Sequence, residues 1–352
     1  TDLETHAYEF IHAEKPEELF NMKFDVIIGN PPYQLDTGGS GRQAKPIYHL
    51  FIDNAKKLEP RYIVMIIPAR WYSGGFGLDE FRQEMLNDKR IKVLSDFENA
   101  TQVFPGVDIA GGVCYFLWDK EYAGDCCIIS HRNDIETKLY RPLNEFPIFI
   151  RDSQAIPILR KVLKTNEFKN GNLFTIVSPI KPFGLPTNYP PLDRGISCWF
   201  IQKIGKKYAS ETDVQDNYNL LHKYKILVPK APIAGQTDFS KPIRIYHNKN
   251  AFLAKPGECC TESYIVAGAF DTEIEAINYR SYLFTKICRF LILLTMISQD
   301  VNRKNFIFVP QLSDYNNKID DSILVKMWGI TEDEWKYIDS RILSIDSENV
   351  DA

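Results

Sequence analysis

An apolar stretch that ends in a rigid turn constrains this chain more than any other feature. Residues 24–29 read Phe-Asp-Val-Ile-Ile-Gly, which is typical of a buried strand. Asn30, Pro31, Pro32 and Tyr33 follow, and the consecutive prolines fix φ and remove two N–H donors. Pro31 also disfavours the helical region for Asn30. The sequence therefore predicts a polar amide held at the carboxyl end of a strand, where ligands bind in open α/β sheets.

The segments that follow alternate between helical spacing and short apolar runs. This pattern predicts an α/β fold, specifically the second half of a doubly wound Rossmann-like sheet that closes in an antiparallel hairpin. The continuous apolar runs also suggest a sheet covered on both faces. The predicted helices are 15–22, 47–58 and 78–86, and the predicted strands are 24–29, 62–67, 91–97 and 111–118, with a possible strand end at 8–11.

A change of pattern near residue 145 suggests a domain boundary. Frequent prolines break the chain into short pieces beyond it, which predicts an irregular α+β domain. Residues 278–297 read as one long helix, and residues 320–345 carry helix signals with a capping box at Thr331. We therefore expect a domain over 1–145, a second domain over 146–315 and a helical tail over 316–352.

Charge is distributed unevenly along the chain. The net charge of −4 combines −7 over residues 1–150, +9 over 151–310 and −6 over 311–352, counted from Lys, Arg, Asp and Glu. A polyanion would therefore sit most readily on the middle region. The alternative is an ordinary solvated face with scattered lysines.

Several other function classes find little support. The Gly-rich segment 36–42 lacks the spacing of a phosphate-binding loop and reads better as a mobile lid. The seven cysteines show no CxxC spacing, which indicates reduced buried thiols and predicts no metal site. The run 290–297 is too short to span a bilayer and reads as a core helix. A cytoplasmic location follows as an expectation.

The turn at Asn30 suits one kind of chemistry. A carboxamide oxygen beside a backbone carbonyl can accept both hydrogens of an exocyclic amine. Two such acceptors would favour a pyramidal nitrogen and stabilise the charge that develops on it during attack. The ring of Tyr33 can stack on a flat base, and a base in a duplex must first be flipped out.

Residues 25–33, Asp-Val-Ile-Ile-Gly-Asn-Pro-Pro-Tyr, resemble the catalytic motif of S-adenosylmethionine-dependent N6-adenine DNA methyltransferases of restriction-modification systems. The resemblance implies that Asn30 and the Pro31 carbonyl accept the hydrogens of the adenine amine and that Tyr33 stacks on the flipped base. It assigns a base contact to Phe104 in Val-Phe-Pro-Gly-Val. It assigns cofactor contacts to Phe51, to the pair Glu9 and Phe10, and to Asn30 itself.

The same resemblance exposes a departure. In this family's common order a Gly-rich cofactor loop precedes the turn, but residues 1–23 contain none, nor does the later sequence. We therefore expect the C-terminal portion of a longer methyltransferase, inactive alone, with a nuclease or helicase as a possible fused or separate partner. A DNA-binding specificity module without catalysis, or a methyltransferase acting on RNA or protein glutamine, remains an alternative.

The basic middle region would then recognise double-stranded DNA. Phosphate contacts would position this domain, and a few side chains would read base edges. Candidate contacts are Lys181, Lys230, Arg303 and Lys304, each of which could equally be an ordinary surface charge. No membrane partner is expected.

Overall fold

The computed structural model divides the described chain into two compact units, residues 1–154 and residues 155–352. It describes residues 2–20, 22–34, 45–75, 77–107, 109, 111–132, 135–233, 241–296 and 299–345. The predicted lid at 36–42 lies outside these ranges. No helix among the described residues is both long and apolar enough to cross a membrane.

The first unit is built on a mixed six-stranded sheet. Its order is β1-β2-β4-β3-β5-β6, with β1 parallel to β2, β3 parallel to β5, and the remaining neighbours antiparallel. The strands are β1 (Val26–Gly29), β2 (Tyr62–Pro68), β3 (Ile91–Phe97), β4 (Val113–Asp119), β5 (Cys126–Arg132) and β6 (Ile135–Arg141), and the helices are α1 (Asp2–His12), α2 (Tyr48–Lys57) and α3 (Asp79–Asn87). Single turns of 3-10 helix cover Pro16–Leu19, Ala69–Ser73 and Ala100–Gln102.

Strands β1 to β4 and helices α2 and α3 confirm the predicted elements, and β3 and β4 form the predicted antiparallel pair. The expected strand end at 8–11 is wrong, since these residues belong to helix α1. The expected helix at 15–22 shortens to one 3-10 turn that begins at Pro16. The hairpin β5–β6 was not predicted.

The two faces of this sheet are buried to different degrees. On one face Ile63, Met65 and Ile67 of β2 are at most 4% exposed and pack in a core with α2 and α3. On the other face Val64 and Ile66 are only half-buried. The expectation of cover on both faces is therefore not met within the described residues. The edge strand β1 exposes Val26 at 48% and Ile28 at 76%.

The second unit contains two three-stranded sheets, ordered β10-β9-β12 and β11-β7-β8, together with several helices. The strands are β7 (Ile196–Trp199), β8 (Lys206–Ala209), β9 (Tyr224–Pro229), β10 (Phe252–Ala254), β11 (Glu258–Cys260) and β12 (Tyr264–Phe270). The helices are α4 (Ala155–Leu163), α5 (Asn166–Asn170), α6 (Glu273–Leu283), α7 (Lys286–Leu293), α8 (Asp321–Met327) and α9 (Glu332–Arg341), with 3-10 turns at Leu173–Thr175 and Arg303–Phe306.

The long helix expected over 278–297 is two helices. The Thr285 hydroxyl accepts a hydrogen bond from the Cys288 N–H at 3.2 Å, so Thr285 caps α7 and separates it from α6. The predicted capping box at Thr331 is confirmed, because its side chain accepts from the Glu334 N–H and the Glu334 carboxylate accepts from the Thr331 N–H.

Candidate functional site

The turn Asn30–Tyr33 lies where strand β1 ends, at the edge of the sheet that also carries the carboxyl ends of β2 and β3. Asn30 is exposed, and its carboxamide has no hydrogen-bond partner among the described residues. Pro31 is buried, so the turn is anchored directly behind the amide. The Ile47 N–H donates to the Tyr33 carbonyl at 3.2 Å, which ties the end of the turn to the start of α2. The arrangement leaves the amide oxygen available to a ligand.

Tyr33 is half-buried, with its hydroxyl oxygen shielded from solvent. That oxygen has no hydrogen-bond partner among the described residues. Burial raises the pKa of Tyr33, and the nearby Cys114 thiol raises it further. The hydroxyl therefore stays neutral near pH 7, and the part of Tyr33 that solvent reaches is not its hydroxyl.

Phe104 lies in the loop that joins the carboxyl end of β3 to β4. It is half-buried, and its N–H donates to the Ala100 carbonyl at 2.8 Å. Since β2 and β4 separate β3 from β1, the start of this loop is three strand spacings, about 14 Å, from β1. The structure thus places Phe104 and Asn30 on loops of one sheet edge.

An ion pair between the buried Asp96 carboxylate and Arg151, whose side chain is 22% exposed, secures the base of the Phe104 loop. The Arg151 guanidinium donates two hydrogen bonds of 2.8 Å to the Asp96 carboxylate at the end of β3, and a third of 2.6 Å to the Gly111 carbonyl. Burial raises the pKa of Asp96, and Arg151 opposes that rise.

Gly112, at the end of the Phe104 loop, has a φ of +78°, and a Cβ added there would lie 2.0 Å from the Phe97 carbonyl oxygen. Only glycine fits this approach.

Three of the four residues predicted to contact the cofactor lie near one another on α1 and α2, and the fourth, Asn30, lies in the turn after β1. The Phe10 and Phe51 rings are 5.9 Å apart between centroids, and both residues are half-buried. Glu9 is exposed on α1, where it pairs with His6 at 3.5 Å. The Asn54 amide donates to the carbonyls of Phe10 and Ala13, which fastens α1 to α2. Within the described ranges, no group of three His, Cys, Asp or Glu side chains is placed to hold a metal ion.

The four basic residues predicted to contact DNA lie in the second unit, and the structure brings at least two of them together. Lys181 and Lys230 approach the same carboxylate, that of Glu262, at 3.9 and 3.3 Å. The Lys230 carbonyl accepts from the N–H of Val301, two residues before Arg303. The Arg303 guanidinium lies 4.2 Å from the Phe174 ring centroid, and Lys304 is exposed.

Two features escaped the sequence prediction. Asp96 and Arg151 are 55 positions apart, and no local pattern links them. The stretch 194–208, in contrast, offered a signal: it carries Arg194, Lys203, Lys206 and Lys207 without any carboxylate.

Comparisons with known proteins agree with the motif. Residues 1–104 match the model of the family described as the Eco57I restriction-modification methylase. A curated relative, an uncharacterized adenine-specific methylase of Mycoplasma pneumoniae (strain ATCC 29342 / M129 / Subtype 1), is 42% identical over 135 residues, which cover 36% of this chain. The match spans 32% of that relative, about a third of its length.

Two solved structures are more distant. The type IIG restriction endonuclease BpuSI shares 12% identity with a TM-score of 0.37, over 91% of this chain and 50% of that chain. A DrdV–DNA complex shares 10% identity with a TM-score of 0.36, over 82% of this chain and 43% of that chain. Neither likeness is close enough to carry an argument.

The resemblance that the Asn-Pro-Pro-Tyr turn predicted is thus confirmed by an independent match over the same residues. The first unit is a mixed α/β structure that presents this turn at the carboxyl edge of its sheet. The similarity to the Eco57I restriction-modification methylase family covers residues 1–104, which include this turn.

Proposed function

We propose that the chain is part of a DNA adenine-N6 methyltransferase of a restriction-modification system that uses S-adenosylmethionine. One observation carries the proposal: a methylase-family domain presents the exposed, unpaired carboxamide of Asn30 at the carboxyl end of β1, with Pro31 buried behind it. The relative from Mycoplasma pneumoniae is named as adenine-specific, which supports the choice of base.

In this mechanism the Asn30 carboxamide oxygen and the Pro31 carbonyl accept the two hydrogens of the adenine amine. These two hydrogen bonds would favour a pyramidal nitrogen, whose lone pair is no longer conjugated with the ring. They would also stabilise the positive charge that forms on nitrogen during attack. S-adenosylmethionine supplies an electrophilic methyl group when bound. The new N–C bond would form as the sulfonium S–C bond breaks, and the thioether S-adenosylhomocysteine would leave with that electron pair. One of the two hydrogens would then leave the nitrogen as a proton to water, and N6-methyladenine would remain.

The target adenine must leave the duplex to reach this turn. Tyr33 would stack on the flipped base, and Phe104 would contact it from the loop between β3 and β4. Both residues are half-buried, so each retains surface for such a contact.

The residues assigned to the cofactor fit part of that molecule. Two half-buried aromatic rings, Phe10 and Phe51, suit the flat adenine ring of S-adenosylmethionine, and the exposed carboxylate of Glu9 suits a hydrogen-bond donor on the nucleoside. The sequence predicts that residues 1–352 alone bind the cofactor weakly. Calorimetry with S-adenosylmethionine tests this, and tight binding would contradict it.

Residues 146–315 would recognise the DNA target, and a nuclease or helicase would be the fused or separate partner. The net charge of +9 over residues 151–310 supports contact with duplex phosphates. Lys181, Lys230, Arg303 and Lys304 remain the candidate contacts.

Replacing Asn30 tests the proposed reaction. Asn30→Ala in the native protein that contains these residues should lower methyl transfer to unmethylated duplex DNA by at least about 100-fold, because one of two acceptors is lost. Transfer from labelled S-adenosylmethionine measures the effect. DNA binding should persist.

Asn144→Ala removes an exposed amide of the same unit outside the site and serves as the control. Wild-type activity in Asn30→Ala would overturn the proposed mechanism. Methylation of RNA or of protein glutamine, but not of DNA, would favour the alternative substrates, and DNA binding without transfer by the wild type would favour a specificity module.

A further inference from the structure

We propose that the hairpin formed by β7 and β8, residues 194–208, is a DNA-contacting surface whose lysines bind phosphates and whose apolar tip enters a groove against the bases. This inference rests on the proposed action of the chain on duplex DNA. The DNA contact proposed here lies outside the four basic residues that the sequence predicted, since none of them falls within residues 194–208.

The charge of the hairpin is the first reason. Residues 194–208 contain four cations and no carboxylate. Lys206 pairs with Glu258 and lies 5.3 Å from the Trp199 ring centroid. Within the described residues, Lys203 and Lys207 have no ion-pair partner and are exposed. Their charges are thus available to a polyanion.

The predicted contacts Lys181 and Lys230 differ in this respect. Both side chains approach the Glu262 carboxylate, which offsets part of their charge. A phosphate that bound there would have to compete with a fixed anion. The hairpin carries no such anion within its own sequence.

The exposed apolar side chains of the hairpin are the second reason. Ile201 is 38% exposed and Ile204 is 41% exposed, and both lie in the turn between the strands. Tyr208 on β8 is 40% exposed, and Leu192, which pairs with it through the backbone, is 37% exposed. Apolar side chains that protrude among cations suit insertion between base steps, where isoleucine acts as a wedge.

The hairpin is also firmly held. Phe200 and Cys198 are 0% exposed and belong to the core of the second unit. The Phe200 N–H donates to the Gly205 carbonyl at 2.9 Å, and the Ile204 N–H donates to the Ile201 carbonyl at 2.8 Å. Gly205 takes a φ of +73° and closes the turn. A rigid two-stranded ribbon fits a DNA groove, so little ordering is needed on binding.

Two double variants separate the two roles. Lys203→Ala/Lys207→Ala removes the unpaired charges, and Ile201→Ser/Ile204→Ser removes the apolar tip. The matched controls are Lys326→Ala, an exposed lysine on α8, and Ile274→Ser/Ile277→Ser, two isoleucines of α6 that are 58% and 45% exposed. Circular dichroism melts check that every variant folds.

Fluorescence anisotropy with a labelled duplex of mixed sequence measures affinity at several salt concentrations between about 50 and 200 mM. The lysine variant should bind about tenfold or more weakly, and the slope of log K against log salt should become shallower by about 1.8, the value for two phosphates. The isoleucine variant should bind roughly tenfold more weakly with the slope unchanged. The controls should stay within about twofold of the wild type.

The outcomes distinguish this inference from the proposed function. If the wild type binds DNA and both hairpin variants bind as well as it does, the hairpin assignment is overturned and the proposed function stands. If those variants instead lose a protein partner while they keep DNA binding, the surface belongs to that partner and the assignment is again overturned. If the wild type binds no duplex DNA, both fail together.

Discussion

Arg151 in the first unit and Lys225 in the second are cations bound by different kinds of acceptor. The Arg151 side chain is 22% exposed, and Lys225 is fully buried. Arg151 faces a carboxylate, since two of its nitrogens lie 2.8 Å from the Asp96 oxygens. Lys225 is 0% exposed and donates to three backbone carbonyls, those of Leu221, Lys223 and Lys255, at 3.0, 2.6 and 3.1 Å.

The difference follows from what each cation holds together. Arg151 joins the end of strand β3 to the Gly111 carbonyl at the base of the Phe104 loop, so an ion pair positions part of the candidate site. Lys225 is the second residue of β9. The carbonyls that accept its hydrogen bonds belong to residues just before β9 and just after β10. Its ammonium supplies hydrogen bonds where regular pairing stops. In the first unit, Arg151 fixes a loop through its ion pair. In the second unit, Lys225 donates hydrogen bonds to backbone carbonyls instead.

The largest effect should follow the loss of Arg151. Arg151→Met leaves the Asp96 carboxylate buried without its guanidinium, which should cost about 3–5 kcal/mol in the free energy of unfolding. Urea unfolding followed by circular dichroism measures it. Arg151→Lys keeps the charge but loses the two parallel hydrogen bonds to Asp96. Its free energy of unfolding should lie between those of the wild type and Arg151→Met. If Arg151→Met lowers the free energy of unfolding by less than about 1 kcal/mol, the ion pair with Asp96 contributes little to stability. The contrast between Arg151 and Lys225 would then be wrong.

The pH dependence of Lys225 should give the next largest effect. Burial lowers the pKa of Lys225 to about 8 from its usual 10.5. Between these values the folded chain holds fewer protons than the unfolded chain, so the free energy of unfolding should rise with pH across that window, by at most about 3 kcal/mol. The wild type minus Lys225→Met difference isolates this rise. A flat difference from pH 8 to 10 would show that the three carbonyls hold the ammonium at its ordinary pKa.

The smallest effect should come from Lys225→Met at pH 7. Three carbonyls lose a donor, but the cost of burying an ammonium disappears with it, so we expect a net loss of about 1–2 kcal/mol. The same urea titration measures it. Ser322→Ala on α8, an exposed position, controls for a general effect of substitution in this unit. A loss equal to that of Arg151→Met would mean that carbonyls and carboxylates restrain these cations equally.

The parts of the fold that the sequence predicted are those with local causes. Strand β2 is an apolar run between Pro60 and Pro68, and the capping box at Thr331 is a four-residue pattern. Strand β6 escaped prediction because it has no apolar run and no regular alternation: residues 136–138 are Glu, Thr and Lys in succession. Helices α6 and α7 were predicted as one because apolar spacing continues across the cap at Thr285.

The candidate site also has parts that the local sequence predicts and parts that depend on distant contacts. The Asn30–Tyr33 turn was predictable because two prolines and an apolar strand fix it locally. The contact of Arg151 with Asp96 depends on chain folding over 55 positions and could not be predicted. Whether a lysine such as Lys181 or Lys207 meets a carboxylate likewise depends on which distant segment packs beside it.

Strand β1 has a practical consequence for anyone who produces this chain. It pairs with β2 on one side, and no strand among the described residues lies on the other. Unpaired backbone groups beside exposed valine and isoleucine side chains form a template for pairing with another molecule. We therefore expect concentrated preparations of residues 1–352 to self-associate along this strand, and dilution to suppress the association.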